Sequence, residues 1–411
     1  MSGPERVYIS VAEALSLVET NLPAPRRERV ALPDAAGRVL AEEILTREDL
    51  PPFASSAMDG YCLRVGEAAG ASKGDPADLP LAGEIAAGEM PPAEWPVGTC
   101  LRILTGAPVP ADCAGVVPVE ETEEIEGGVR FYAGIAAPGA HIRPAGEDLA
   151  SGERALSPGQ RIGPAEIALL AALGVEEISL TRRPRVAFLA TGDELLAPRE
   201  APRPGAIRNS NTPMTMAMLD EVGADALDLG VAPDNEDALA AMLAPALESC
   251  DMLVSSGGVS AGRYDLVGRA LENLSAEWVF HKVRQQPGKP LAFMLWRGKP
   301  VFGLPGNPVS SFFTFWYYVA PSIRKMMGLT DAHPRQVRAL LRGELSGRRR
   351  QFFARANTRW VGDHYEAEAR PPHGSHILSS LAQANSFIIL PEGTGRLEAG
   401  TEVTVAFFDG L

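Results

Sequence analysis

The sequence predicts a multidomain α/β plus β protein: a central α/β domain with a mostly parallel sheet, a β-rich inserted domain, a helical, elongated N-terminal domain and a C-terminal β-barrel-like domain. Three observations predict it. From about Val30 to Gln160 the chain is dense in Gly and Pro, with short apolar runs such as GTCLRILTGAPVP and GVVPVEE, which suits short strands joined by tight turns. Next come RVAFLATG, NTPMTMAMLDEVGA, ALDLGVAP, NEDALAAMLAPALES, DMLVSSGG and YDLVGRALENL, a strand-helix alternation that builds a parallel sheet covered by helices. The last 80 or so residues return to strand alternation in QVRALLRGEL, FFARANTRW, HYEAEARP, SFIILPEG and EVTVAFF.

Taken in order, SVAEALSLVET at 10–20 places apolar side chains at helical spacing behind a capping Ser10. A second helix, GPAEIALLAALGV at 163–175, follows the β-rich segment and is expected to pack apart from it, against the first helix, which makes that segment an insertion. The expected domains are 1–45 with 146–180, 46–145, 183–328 and 332–411, the last two joined by the apolar helix VSSFFTFWYYVAPSIRKMMG. ASKGDPADLP at 71–80 reads as a solvated loop, and no repeat appears.

Composition narrows the function. Lys and Arg total 38 against 52 Asp and Glu, a net charge of −14, so the chain as a whole repels a phosphate backbone and nucleic acid is excluded as a partner. An anionic substrate needs local cations, helix N-termini or a bound metal to offset that background. Cys62, Cys100, Cys113 and Cys250 are widely spaced, with no CxxC pair, and read as reduced thiols. The N-terminus has charges within its first amphipathic run, so neither a signal peptide nor a membrane span is expected, and the location is cytoplasmic.

DMLVSSGGVSAGRYD is a buried strand that ends in small residues, where Ser255, Ser256, Gly257, Gly258 and Ser260 are candidates to line an anion site; taken alone, it also reads as a tight turn. VFGLPGNPVSS runs a second strand straight into a helix, so Gly303, Pro305, Gly306 and Pro308 shape another turn, and Asn307 with Pro308 also fits a simple N-cap and N1 pair. Between them, VRQQPGKPLAF carries Lys289 in a rigid turn, with Lys282 and Arg284 just before it, the cations an oxyanion needs. Asp59, Asp148, Glu194, Asp234 and Asp265 follow strands or sit in Gly-rich turns, and such carboxylates suit Mg²⁺ shared with a phosphate. The plainer alternatives are that Asp234 caps the helix beginning NEDAL and that Asp59 holds a turn before Gly60.

In order along the chain, PPFASSAMDGY, RILTGAPVP, GEDL, ATGDEL, SSGGVSAGRYD, PGKP and LPGNPVS resemble the molybdopterin molybdotransferase family, to which bacterial MoeA and the gephyrin E-domain belong. The resemblance extends to GSHILSS near the C-terminus. It implies insertion of molybdate into adenylylated molybdopterin with release of AMP, Mg²⁺ dependence, and a homodimer whose active site lies between subunits. On this chain it implies catalytic roles for Asp59, Asp148, Glu194, Asp234 and Asp265, with Glu194 and Asp265 at the metal. It further implies substrate contacts from Ser255, Gly257, Gly258, Ser260, Lys289, Pro290, Pro305, Gly306, Pro308, Arg355 and Ser375. Cofactor-pathway enzymes, among them a molybdopterin adenylyltransferase, are the implied protein partners.

One departure stands out. Many members carry Lys two residues before the Gly of PGKP, where this chain has Gln286, so a formal cation is lost unless Arg284 or Lys282 reaches the same point. The rival functions are a molybdopterin adenylyltransferase, a non-catalytic dimeric scaffold and an unrelated nucleotide hydrolase. Gly-Gly-Val-Ser after the sheet strand, in place of Gly-Gly-Thr-Gly, and the extra domains favour insertion over adenylylation.

Overall fold

Strand Arg185–Thr191 shows how the sheet is made: Val186, Ala187, Phe188 and Leu189 are all fully buried, because helices cover both faces of the sheet. Val186, Phe188 and Ala190 join one core with Met218 and Leu219 of helix Asn211–Val222. Ala187 and Leu189 join a second core with Leu239 and Leu243 of helix Glu236–Ser249 and Leu271 of helix Leu266–Asn273. The computed structural model describes residues 7–258 and 266–408.

The sheet has seven strands in the order Val7–Ile9, Glu277–Val283, Ala292–Trp296, Lys299–Leu304, Met252–Ser256, Arg185–Thr191 and Asp225–Ala232. Only Ala292–Trp296 runs against the others. This is the mostly parallel sheet the alternation predicts. Its edge strand Val7–Ile9, however, comes from the N-terminus, and three residues are too few to leave a periodic signal. Ser10 then caps helix Val11–Thr20, its hydroxyl accepting the Glu13 N–H at 3.2 Å, as expected.

The apolar helix after Pro308 is not one regular helix. A π-helical turn, Phe315–Val319, separates Pro308–Thr314 from Ala320–Met326. Pro321 has no N–H to give the Tyr317 carbonyl, which favours a wider turn at this point.

The C-terminal strands Gln336–Arg342, Gln351–Val361, His364–Ala369, Ser386–Leu390 and Glu402–Phe407 close into a barrel, because Gln351–Val361 pairs with both His364–Ala369 and Ser386–Leu390. Gln285–Gln286 adds to it as a short parallel strand against Gln351 and Phe352. That pairing brings the PGKP turn beside the barrel.

The chain folds as two compact units, one made of residues up to Ala41, Pro158–Gly163 and the chain from Ile178 onward, the other of Glu42–Ser157 and Pro164–Glu177. The second unit holds a six-stranded sheet ordered Gly115–Pro118, Gly60–Leu63, Cys100–Ile103, Ala77–Ile85, Gly128–Phe131 and Thr122–Ile125, with apolar clusters around Phe131 and around Ile103. Among the described residues no helix is long and apolar enough to cross a membrane.

Candidate functional site

Four parallel strands end side by side, at Thr191, Ala232, Ser256 and Leu304, and the residues that follow them enclose a cavity of about 530 Å³. A crevice beyond the carboxyl ends of parallel strands is where such sheets bind ligands. Glu194, Asp234, Gly257, Gly258, Pro290, Pro305 and Gly306 all line it, so seven residues singled out in the sequence meet at one place. Ser256 faces this cavity and Ser255 does not, because successive strand residues point to opposite faces. Ser255 is instead fully buried, and its hydroxyl has no partner among the described residues. Ser260 and Asp265 lie outside the described residues.

Glycine is required at the floor of this cavity. Gly257 has φ +92°, and a side-chain carbon there would stand 2.8 Å from Thr191 Oγ1. Gly192, at φ +141°, leaves room for the Glu194 carboxylate, which a side chain there would meet at 2.5 Å. The Asp234 carboxyl is held above its ordinary range, first by burial and then by the nearby Asp193 and Glu194 carboxylates. Asp234 does not cap the following helix: Asn235 does, its side chain accepting the Ala238 N–H at 2.9 Å. Asn307 is the N-cap and Pro308 the N1 residue of the next helix, as that pattern predicts, yet the Asn307 side chain makes no capping bond and lines the cavity.

A second cavity of about 400 Å³ adjoins the first, sharing Pro290, Pro305 and Asn307 in its wall. It holds Gln286, Lys289 and Ser375 together with Arg350, His373 and His376. Lys289 is exposed and stands 5.3 Å from the centre of the Tyr8 ring. Neither cation expected to replace the missing lysine at Gln286 is in this wall. Arg284 is held by Glu392 at 3.0 Å and the Tyr8 carbonyl at 3.2 Å, and Lys282 sits on a left-handed backbone, its N–H bound to the Leu291 carbonyl. Arg350, from the Arg-rich run at 348–350, lines the cavity instead.

Arg355 is placed behind this wall. It is 2% exposed and donates to the carbonyls of Pro372 at 2.7 Å and Gly374 at 3.1 Å, so it fixes the loop that presents His373, Ser375 and His376. Burial brings its guanidinium down to about 10. Burial, with Arg355 and Arg348 nearby, also lowers His373 to about 4, against about 6.5 for an ordinary histidine. Native His373 therefore stays neutral while the unfolded chain takes up a proton below pH 6.5, so its contribution is complete above that pH and is lost as pH falls towards 4. After discounting for partial exposure, urea unfolding should show about 1–2 kcal/mol lost between pH 7 and pH 4.5, and His373→Gln should remove that loss; an identical loss in the variant would contradict the assignment.

In the second unit, Asp59 is exposed but held in place: its Oδ1 accepts the Thr105 N–H and the Thr105 hydroxyl, each at 2.7 Å. The Thr105 backbone bond, then its hydroxyl and Arg102, keep the Asp59 carboxyl below the usual range. Gly60 follows because a side-chain carbon there would collide with the Val117 carbonyl. The exposed Asp148 is tied by its backbone N–H to the Leu50 carbonyl at 3.0 Å, which puts GEDL beside the start of PPFASSAMDGY.

Sequence reasoning did not single out Thr191, Asn211, Arg350, His373 or His376. Arg350 sits in a run of three arginines that reads as a solvated face, and nothing local separates it from its neighbours.

Three family models cover most of the chain: the MoeA N-terminal region (domain I and II) at residues 9–174, a probable molybdopterin binding domain at 187–325 and the MoeA C-terminal region (domain IV) at 338–408. Molybdopterin molybdenumtransferase 2 of Mycobacterium tuberculosis is 37% identical over 96% of this chain and 98% of its own length. Molybdopterin molybdenumtransferase of Haemophilus influenzae is 31% identical over 98% and 99%. The crystal structure of a molybdopterin biosynthesis MoeA protein from Pyrococcus horikoshii superposes with a TM-score of 0.84 at 31% identity, covering 98% of this chain and 100% of that one.

Proposed function

The chain belongs to the MoeA family of molybdopterin molybdenumtransferases, and from that premise we propose that it places molybdate on the dithiolene of adenylylated molybdopterin and releases AMP. One observation carries the reading: two cavities of opposite character share a wall, the first rimmed by Glu194 and Asp234, the second by Lys289 and Arg350. A substrate with a phosphoanhydride at one end and a metal-accepting dithiolene at the other needs that pair of environments. Gly257, Gly258 and Gly306 let backbone approach the nucleotide end. Lys289, Arg350 and Ser375 offer charge-assisted and neutral donors to a tetrahedral oxyanion.

We assign Mg²⁺ to the first cavity, on the carboxylates that line it. Burial first, and then the Asp193 and Glu194 carboxylates, hold the Asp234 carboxyl above its ordinary range, and a cation bound there would relieve the carboxylate part of that shift. When bound, Mg²⁺ supplies Lewis acidity and a template for the phosphate oxygens. Glu194 and Asp265 would hold it, with Asp234 supporting the crevice, while Pro290, Pro305 and Pro308 keep the turns rigid. Two copies would pair, and Asp59 and Asp148 of one subunit would serve the cavity of the other; Asp59, exposed yet fixed by Thr105, suits such a role. We place the reaction in the cytoplasm, since the four cysteines are unbonded, as a reducing compartment keeps them.

The test is molybdate-dependent AMP release by the purified protein from adenylylated molybdopterin with Mg²⁺, alongside Lys289→Ala. A charge-assisted bond contributes about 1.5–3 kcal/mol, so the variant should raise the molybdate KM roughly 10- to 100-fold, since Gln286 brings no charge. Wild-type protein that releases no AMP, but makes the adenylylated pterin from ATP, would instead be an adenylyltransferase.

A further inference from the structure

Asn211 opens helix Asn211–Val222 and lines the first cavity, yet none of the chemistry above uses it. Its Nδ2 donates to Ser256 Oγ at 2.7 Å and to the Gly306 carbonyl at 2.8 Å. A carbonyl can only accept, so the Gly306 bond decides which end of the amide is nitrogen. Oδ1 is thereby set as an acceptor, and it is buried with no partner among the described residues. Thr191 Oγ1, on another residue of the same wall, is also buried and without a partner among the described residues. Orphaned buried polar atoms are rare, because desolvation is costly when no bond replaces the lost water. At a cavity wall the natural partner is a ligand.

We propose that Asn211 is a specificity-determining residue whose Oδ1 accepts a hydrogen bond from an N–H or O–H donor of the bound substrate. The inference rests on the reading of this cavity as the pocket for the adenylylated pterin. Such a substrate carries donors on the adenine amino group, the ribose hydroxyls and the pterin N–H edge. A phosphate or carbonyl oxygen at the same point would be repelled by Oδ1, so the contact fixes which way round the ligand lies. The locked amide loses little orientational freedom when the ligand binds, and a site built for a donor rejects an analogue that lacks it.

The experiment measures dissociation constants on wild type and on Asn211→Leu for AMP, adenine-N,N-dimethylated AMP, 2′-deoxy-AMP, pterin and 3-methylpterin. The expected result is that one donor-deleted ligand loses tenfold or more against its parent on wild type, and twofold or less on the variant. Which ligand that is assigns the donor to adenine, ribose or pterin. Should Asn211→Leu not fold, Asn211→Ser takes its place in the comparison. No loss for any donor-deleted ligand, or equal losses on both proteins, overturns the proposal. Wild type that binds neither AMP nor pterin overturns the reading of the cavity, and this inference with it.

Discussion

Glu194→Gln is expected to lower the rate of molybdate-dependent AMP release about 10²- to 10³-fold, the cost of removing one preorganised electrostatic partner from a reacting centre. The substitution keeps the shape, removes the charge and turns one acceptor oxygen into an N–H donor. The backbone that carries Glu194 is well anchored, its carbonyl accepting the Ile207 N–H at 2.8 Å and the Leu195 N–H reaching the Gly192 carbonyl at 3.1 Å, so the fold should be unaffected. Losing the charge also removes one of the repulsions that raise Asp234, whose carboxyl should then titrate lower. Two readouts check the prediction: AMP release as Mg²⁺ is varied, with the Mg²⁺ requirement rising in the variant, and circular dichroism to establish an intact fold. Activity within threefold of wild type would remove Glu194 from the metal and phosphate chemistry.

Phe313→Ala should cost about 3–5 kcal/mol, the range for deleting a large aromatic from a closed core. Phe313 is fully buried, with ring centroids 4.4 Å from Phe353, 5.4 Å from Tyr317 and 5.4 Å from Phe387, so it joins the helix that leaves the parallel sheet to the strands of the barrel. It also backs the PGKP turn. At Gly288, φ +85°, a side-chain carbon would stand 2.6 Å from Thr314 and 3.1 Å from Phe313. Under the turn, Tyr318 OH donates to Gln285 Oε1 at 2.5 Å, and Gln285 Nε2 donates to the Gly288 carbonyl at 3.0 Å. The variant should therefore show an early urea transition in the unit that carries it, and a raised molybdate KM at temperatures where it remains folded, because Lys289 loses the support that aims it. A loss under about 1 kcal/mol would mean that the neighbouring rings collapse into the cavity.

These two residues mark the limits of what is legible in the chain. Glu194 is readable, because ATGDEL follows a strongly apolar strand and a carboxylate at a strand end points to a crevice. Phe313 is readable only as part of an apolar helix; that its ring meets Phe353 and Phe387 depends on how distant strands close. Arg355 shows the same gap. The family resemblance implies an oxyanion contact for it, and the structure adds that its buried guanidinium clasps the loop at Pro372 and Gly374.

By itself the sequence determined the mostly parallel sheet, the barrel-like C-terminus, the small-residue turns after Ser256 and Leu304 and the carboxylates that follow two other strands, because strand periodicity, turn glycines and prolines are local properties of the chain. Only the tertiary structure decided that Val7–Ile9 borders that sheet, that Arg350 and not Arg284 stands in the cavity beside Gln286, and that the Asn211 amide is turned with its oxygen free. Those outcomes rest on strand pairings across hundreds of residues and on which neighbour first satisfies a side chain. Arg284 was taken by Glu392, and that competition has no trace in the residues on either side of it.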